Sequence, residues 1–166
     1  MNKTAIVAIV VAAVAVPVGV YAASPLFTNT VVNEPLPEVA GGDKMMEDNM
    51  MQDADMEEKP LTGSFAGAGD GIHSAEGVAR VIQLEDGSQV LRFEDFKVTN
   101  GPDLYVYLAT DNQASDFVDL GMLKGNVGSQ NYDIPKGTDL SKYDTVVIWC
   151  KSFSVFFGGA GLTASA

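Results

Sequence analysis

Residues 77–96 read GVARVIQLEDGSQVLRFEDF. Two runs rich in β-branched and aromatic residues flank Glu85-Asp86-Gly87. Such runs are typical of β-strands, and an Asp-Gly pair supplies the positive φ angles that a tight hairpin turn needs. The stretch therefore predicts two antiparallel strands joined by a short turn.

A similar pattern extends over residues 61–166, where short apolar runs alternate with Gly, Asn, Asp and Pro. This spacing predicts an all-β domain, an antiparallel β-sandwich of about seven or eight strands. In LYVYLAT, residues 104–110, the leucines and Val106 should point to one face and the tyrosines to the other. The remaining predicted strands are FVDLGMLK (117–124), GSQNYDIP (128–135), TVVIWC (145–150) and FSVFFG (153–158).

Residues 4–23, TAIVAIVVAAVAVPVGVYAA, carry no charge, follow Lys3 and precede the next basic residue, Lys44. We expect an N-terminal apolar helix over residues 1–23, either a signal peptide or a transmembrane anchor. The small residues around Ala22 suit a cleavage site, and twenty apolar residues also suffice to span a bilayer. Both alternatives place the rest of the chain outside the cytoplasm, and an uncleaved helix would bind the membrane.

Residues 24–60 carry nine acidic residues and two lysines, and their composition predicts a disordered linker. This segment also contains five methionines, whose thioethers are soft ligands that suit Cu(I). The alternatives are a spacer that tolerates methionine, or a short helix that presents it to a partner. The candidate copper ligands are Met45, Met46, Met50, Met51 and Met56.

Composition excludes several classes of function. A net charge of −12 argues against nucleic acid as a partner, because phosphates must be neutralised by Lys and Arg. With one histidine and one cysteine, a single chain cannot build a Cys/His zinc cage. No catalytic constellation can be identified, so an enzymatic function is the least supported.

Two side chains remain as redox or ligand candidates. Cys150 cannot form a disulfide within its own chain, so it is either a buried apolar residue or a functional sulfur. Strand alternation should place it on the same face as Val146 and Ile148. His73 lies in a Gly-rich stretch, where a histidine is either a ligand or proton carrier, or an ordinary solvated residue.

The chain resembles the DM-thirteen domain, also called the electron-transfer DM13 domain, over about residues 62–162. Four stretches carry the resemblance: GSFAGAGDGIHSAEGVARV, LRFEDFKVTNGPDLYVYL, FVDLGMLKGNVGSQNYDIP and YDTVVIWCKSFSVFFGGAGL. The resemblance implies a β-sandwich-like fold, a signature cysteine at Cys150 and a recurring histidine at His73. It also implies export from the cytoplasm and a redox role, often beside haem-binding or sugar-binding domains.

Three hypotheses follow. In the first, the protein is an extracytoplasmic, membrane-associated electron-transfer module in which Cys150, with or without His73, binds a metal or haem or cycles as a thiol. Its partner would be another redox or envelope protein. In the second, it is a non-catalytic cell-surface binding or structural module. In the third, the methionine-rich linker captures copper.

Overall fold

The computed structural model describes residues 28–37 and 60–164, and the described residues form no helix. In particular, none of them forms a helix long and apolar enough to cross a membrane. The predicted N-terminal helix over residues 1–23 lies outside these ranges. The ten strands are β1 (Leu61–Ser64), β2 (Ala66–Gly67), β3 (Ala75–Gln83), β4 (Gln89–Val98), β5 (Leu104–Ala109), β6 (Phe117–Met122), β7 (Val127–Ile134), β8 (Thr145–Cys150), β9 (Val155–Gly161) and β10 (Thr163–Ala164).

The strands form two antiparallel five-stranded sheets. The first sheet has the order β10-β1-β3-β4-β7, and the second has the order β2-β9-β8-β5-β6. The all-β fold with two antiparallel sheets confirms the prediction. The sequence indicated seven of these strands, β3 to β9; the other three are β1, of four residues, and β2 and β10, of two residues each. Such short pairings lack the apolar run from which strands are predicted.

The hairpin predicted from residues 77–96 is β3–β4. Ile82 pairs with Val90, and Arg80 pairs with Arg92 across the two strands. Gly87 has a φ of 77°, in the left-handed region that the Asp-Gly turn was expected to use, whereas the expected positive φ at Asp86 is wrong. The inward residues of this hairpin join an apolar core between the sheets, which contains Ala79, Val81, Leu91 and Phe93.

The predicted alternation of side chains between the two faces of β5 and β8 is confirmed. Leu104, Val106 and Leu108 are buried between the sheets, as are Val146, Ile148 and Cys150. The opposite face of the same strands carries a second cluster, with Tyr107 and Val147 at its centre. Tyr107 stacks on Phe117 there, with ring centroids 4.2 Å apart. Both faces of β5 and β8 are therefore covered, which is why their sequences are apolar almost throughout.

Four loops meet at one end of the sandwich, which we call the His73 end. Because β3 begins where β4 ends, and β8 ends beside the start of β5, the antiparallel pairing brings these loops together. One of them is fixed by a buried amide: Gln130 Nε2 donates to Gly125 O at 2.7 Å, and Gly125 N donates to Gln130 Oε1 at 3.0 Å. The loops comprise residues 68–74, 99–103, 123–126 and 151–154.

Residues 28–37, which we call the edge segment, lie along β7 at the open edge of the first sheet. Val32 N donates to Val127 O at 2.9 Å, and Glu34 N donates to Ser129 O at 2.8 Å. The carboxylate of Glu34 also binds the Lys124 ammonium at 2.8 Å. These residues fall within the predicted linker, whose acidic part at 38–59 lies outside the described ranges. The edge segment satisfies backbone groups of β7 that an uncovered edge would expose.

We expect Gly128→Ala to release the edge segment. Gly128 has a φ of 106°, and a Cβ atom there would clash with Val32 O. The unfavourable φ alone should cost about 1–3 kcal/mol in the free energy of unfolding, and the clash adds the loss of the segment. Chemical denaturation of the full chain measures the change.

Gly121→Ala is the matched control, because Gly121 has a φ of 105° and no atom within 4 Å of the added Cβ. The Gly128 variant should lose at least about 1 kcal/mol more than the Gly121 variant. Equal losses would show that the edge segment contributes nothing to stability.

Candidate functional site

Cys150 lies at the end of β8, with Leu104 of β5 and Val155 of β9 as its cross-strand partners. Its side chain is 1% exposed and belongs to the core between the sheets. A thiol in such surroundings behaves as a small apolar residue, and oxidants or ligands dissolved in water do not reach it. The position of Cys150 thus favours the structural alternative over direct thiol chemistry.

Lys151 does not assist the Cys150 thiol. Its ammonium lies 4.3 Å from the centroid of the Tyr105 ring and 3.6 Å from the carboxylate of Asp119. Both partners belong to β5 and β6 of the second sheet, and Tyr105 is on the face opposite to the core. The nearest cation in the sequence is therefore directed away from the sulfur.

His73 is held by Asp70 within the loop that joins β2 to β3. Asp70 Oδ1 accepts hydrogen bonds from Ile72 N at 2.9 Å and from His73 N at 2.8 Å. The other carboxylate oxygen, Oδ2, lies 2.5 Å from His73 Nδ1. Turns are commonly stabilised by an aspartate that accepts hydrogen bonds from the backbone two and three residues ahead. Here the same carboxylate also binds the side chain of His73.

These hydrogen bonds stabilise the ionised form of Asp70. The backbone N–H of His73, followed by that of Ile72 and the imidazole, lowers the pKa of Asp70 from 3.8 to about 2. The stabilisation is therefore present above pH 3.8 and is lost as the pH falls through about 2. An ionised carboxylate can only accept, so Nδ1 of His73 carries the proton and donates it.

This arrangement leaves Nε2 of His73 as the nitrogen with a free lone pair. A histidine that ligates a metal usually donates its other ring N–H to a carboxylate or carbonyl group, which fixes the ring and raises its basicity. The His73 side chain is 20% exposed, so the ring is partly accessible. The sequence suggested His73 alone; the spacing of Asp70 three residues earlier was the signal that would have indicated its partner.

Phe157 connects His73 to the core that contains Cys150. The rings of His73 and Phe157 have centroids 4.1 Å apart, and Phe157 is buried in the same cluster as Cys150. The two candidates therefore lie at the same end of the sandwich. No hydrogen bond joins His73 to Cys150 among the described residues, so they do not form a joint site in this state.

The described part of the chain offers no closed metal cage. Within residues 28–37 and 60–164, no three His, Cys, Asp or Glu side chains are grouped so that they could hold a metal ion. An open pocket of about 360 Å³ lies at the His73 end, lined by residues that include Asn100, Met122 and Asn126. Neither His73 nor Cys150 lines it, so it is separate from both candidates. The five candidate copper ligands, Met45 to Met56, lie outside the described residues.

A protein-family model described as "Electron transfer DM13" matches residues 68–162. This is more than half of the chain, and the chain belongs to that family. The match includes both His73 and Cys150 and confirms the resemblance stated from the sequence. No curated protein and no solved structure matches the chain significantly.

We expect the neutral His73 imidazole to carry its proton on Nδ1, and Asp70→Asn to shift the proton towards Nε2. The amide of asparagine cannot hold Nδ1–H as an ionised carboxylate does. Because His73 is the only histidine, the ¹⁵N chemical shifts of its ring report the tautomer directly. Asp86→Asn is the control, since Asp86 makes a similar turn contact with Ser88 in another loop. A wild-type ring protonated mainly on Nε2 would contradict the assignment.

Proposed function

We propose that this member of the electron transfer DM13 family is a small extracytoplasmic electron-transfer module that meets its redox group at His73. The observation that carries the proposal is the carboxylate–histidine pair, in which Asp70 Oδ2 lies 2.5 Å from Nδ1. The pair orients a single imidazole at one end of a rigid sandwich and leaves Nε2 free. Nε2 is the atom that binds iron or copper in many redox proteins.

The described residues fit a redox metal only in part. A metal held entirely by the described residues does not fit, because no group of three ligands occurs there. Cys150 does not fit as a ligand, because its side chain is 1% exposed and enclosed by apolar residues. His73 would fit as one ligand of a haem iron, or of an ion that a partner also binds.

Each residue of the site has a definite task in this proposal. Asp70 holds the proton of the neutral imidazole on Nδ1, so that the lone pair lies on Nε2. Phe157 packs against the imidazole, with the two ring centroids 4.1 Å apart, and limits the rotation of the imidazole. A haem iron or copper ion bound at Nε2 would supply the one-electron couple, which the side chains of the loop cannot supply.

The His73 end also carries exposed apolar side chains, which suit contact with a partner. Ile72 is 72% exposed, Phe153 is 68% exposed and Met122 is 59% exposed, all in or beside the loops at this end. Large apolar side chains at loop tips commonly mark an interaction surface. A partner that delivers or accepts the electron would therefore dock here, within reach of His73.

The extracytoplasmic and membrane-associated part of the proposal rests on the uncharged run at residues 4–23. The edge segment begins at the His73 end, where Asn100 Nδ2 donates to Thr28 O at 3.1 Å. Only four residues separate the apolar run from Thr28, and four extended residues reach about 14 Å. A retained anchor would thus hold the His73 end near the membrane surface and favour a partner in the membrane.

A second candidate function is a non-catalytic binding or structural module at the cell surface. The enclosure of Cys150 in the core favours it, because an inert thiol needs no redox role. In that case the loops of the His73 end would bind a protein or sugar, and Asp70 would serve only to shape its loop.

Titration of the purified full chain with haemin and with Cu²⁺ distinguishes the two candidates. We expect a shifted haem absorption band and nitrogen hyperfine coupling in the Cu²⁺ spectrum. His73→Ala should weaken binding more than about tenfold, and Asp70→Asn about tenfold, as is typical for loss of a carboxylate behind a ligand. Elemental analysis and a visible spectrum of the protein as purified identify the natural group.

Cys150→Ser should leave both titrations unchanged, because its sulfur is enclosed. Loss of the signals in Cys150→Ser but not in His73→Ala would move the site to the sulfur and overturn the proposal. A wild-type chain that binds neither haemin nor Cu²⁺ would support the binding or structural module instead. Asp86→Asn serves as the control for loss of a turn carboxylate.

The proposed location predicts that alkaline phosphatase fused after Ala166 is active in a bacterial host, because this reporter folds only outside the cytoplasm. Deletion of residues 4–23 should abolish the activity. The intact mass of the exported chain then shows whether the apolar run was cleaved. Reporter activity that does not depend on residues 4–23 would contradict the assignment of that run as a signal or anchor.

A further inference from the structure

The His73 end of the sandwich exposes large apolar side chains. Ile72 and Phe153 lie in two of its loops, and Met122 directly precedes a third. All three are well exposed, although the domain has an apolar core that could have enclosed side chains of this kind. Leaving such side chains in water is unfavourable, and their grouping at one end indicates that something apolar covers that end.

The loops at the opposite end have a different character. They comprise residues 84–88, 110–116 and 135–144, and they contain none of the large apolar side chains that are exposed in the described ranges. Phe117 directly follows one of them, but its ring stacks on Tyr107. These loops carry six acidic residues and two lysines, a net charge of −4. The four loops of the His73 end carry two residues of each sign, so with a neutral histidine they have no net charge. The domain is therefore polarised.

A row of large side chains crosses the second sheet close to the His73 end. Met122 pairs with Tyr105, Tyr105 with Trp149, and Trp149 with Phe156, across four neighbouring strands. Tyr105, Trp149 and Phe156 pack on the outer face and are only partly buried. Tryptophan and tyrosine concentrate where a membrane meets water, because their apolar rings and polar tips suit that boundary. The row lies where such a boundary would be if the loops at this end entered lipid.

We propose that the His73 end binds the surface of a lipid bilayer, with Ile72, Phe153 and Met122 inserted among the headgroups. Tyr105 and Trp149 would then lie at the boundary with water. Apolar side chains of proteins that bind in this way enter the bilayer by about 5–10 Å. The inference deepens the membrane association of the proposed function and rests on it, but it does not depend on electron transfer at His73.

The charges at this end do not oppose insertion among polar headgroups. Each charged side chain in the four loops already has a partner of opposite charge or a hydrogen-bond partner, so none has to leave water alone. The pairs are Asp70 with His73, Lys124 with Glu34, Lys151 with Asp119, and Asp103 with Ser152.

The course of the chain favours a bilayer over a protein as the occupant. Thr28 lies at the His73 end, where its carbonyl accepts a hydrogen bond from Asn100. The uncharged run at residues 4–23 ends four residues earlier, so a retained run would keep Thr28 within about 14 Å of the lipid. Fluid lipid also accommodates apolar side chains from several loops without a matching pocket for each. The acidic end would face away from the anionic headgroups that repel it.

The test moves the only tryptophan of the chain to the end of the domain in question. In the full chain, Trp149→Phe is combined with Phe153→Trp, and the protein is reconstituted into phosphatidylcholine vesicles with brominated acyl chains. Bromine quenches tryptophan fluorescence only at close range. We expect the fluorescence to fall to at most about half of its value in unbrominated vesicles, because residue 153 enters the headgroup region.

The matched control combines Trp149→Phe with Phe117→Trp, which places the tryptophan at the opposite end. Its fluorescence should be the same in brominated and unbrominated vesicles. In the residue-153 probe, Ile72→Ser with Met122→Ser should restore at least about half of the lost fluorescence, because less apolar area is buried in lipid. Leu36→Ser should restore none, although Leu36 in the edge segment is as exposed as Met122, at 59%.

Sedimentation of the same samples separates two kinds of failure. A chain that sediments with the vesicles, but whose residue-153 probe is not quenched, would overturn the proposed orientation and leave the membrane association intact. A chain that does not sediment would overturn both. Equal quenching of the two probes would show that neither end is preferred, which would also overturn the proposal. A residue-153 probe that is shielded only in native membranes would assign this end to a membrane protein instead of lipid.

Discussion

β8 lies in the middle of the second sheet, where it pairs with both β5 and β9. Ile148 is opposite Val106 on one side and Gly158 on the other, so the strand is held in register from two sides. A shift by one residue would exchange its two faces, moving Cys150 out of the core and Trp149 into it. Because Val146 and Ile148 are fully buried, such a shift would expose a large apolar area. The environment of Cys150 is thus set by the sheet as a whole.

A bulge in the same pairing links the core to the exposed loop. The register shifts between Ile148 and Trp149, so that Phe157 is the extra residue on β9. Bulges redirect side chains, and here Phe157 turns into the core at the point where the His73 ring rests on it. The candidate imidazole is consequently supported by a buried side chain of the second sheet. A loop that is rich in glycine would otherwise hold such a ring poorly, and the Asp70 carboxylate supplies the second fixed point.

The sequence predicts those features that depend on neighbours along the chain. Alternation gave the face of Cys150, and the Asp-Gly pair located the hairpin turn. The opposition of Arg80 and Arg92 depends in addition on the three-residue loop 85–87, which the structure shows. The pairing of the edge segment with β7 could not be predicted in this way. Val32 meets Val127 across nearly a hundred residues, and two valines among prolines and polar residues resemble a linker. The edge segment also covers Arg92. The burial of Arg92 therefore could not be predicted from the sequence either.

The distribution of charge shows why the position of Arg92 is informative. The chain carries 22 acidic and 10 basic residues, so carboxylates are abundant. Lysines at the surface obtain them readily, as Lys97 does from Glu76 and Lys142 from Asp116. Those pairs are exposed and contribute little, because water already solvates both partners. The cation most removed from water is Arg92, which donates hydrogen bonds only to neutral oxygens of the described residues. The carboxylate of Glu34 interacts with it by charge without forming an ion pair. In so acidic a protein the lack of an ion pair at Arg92 reflects its position beneath the edge segment rather than a scarcity of carboxylates.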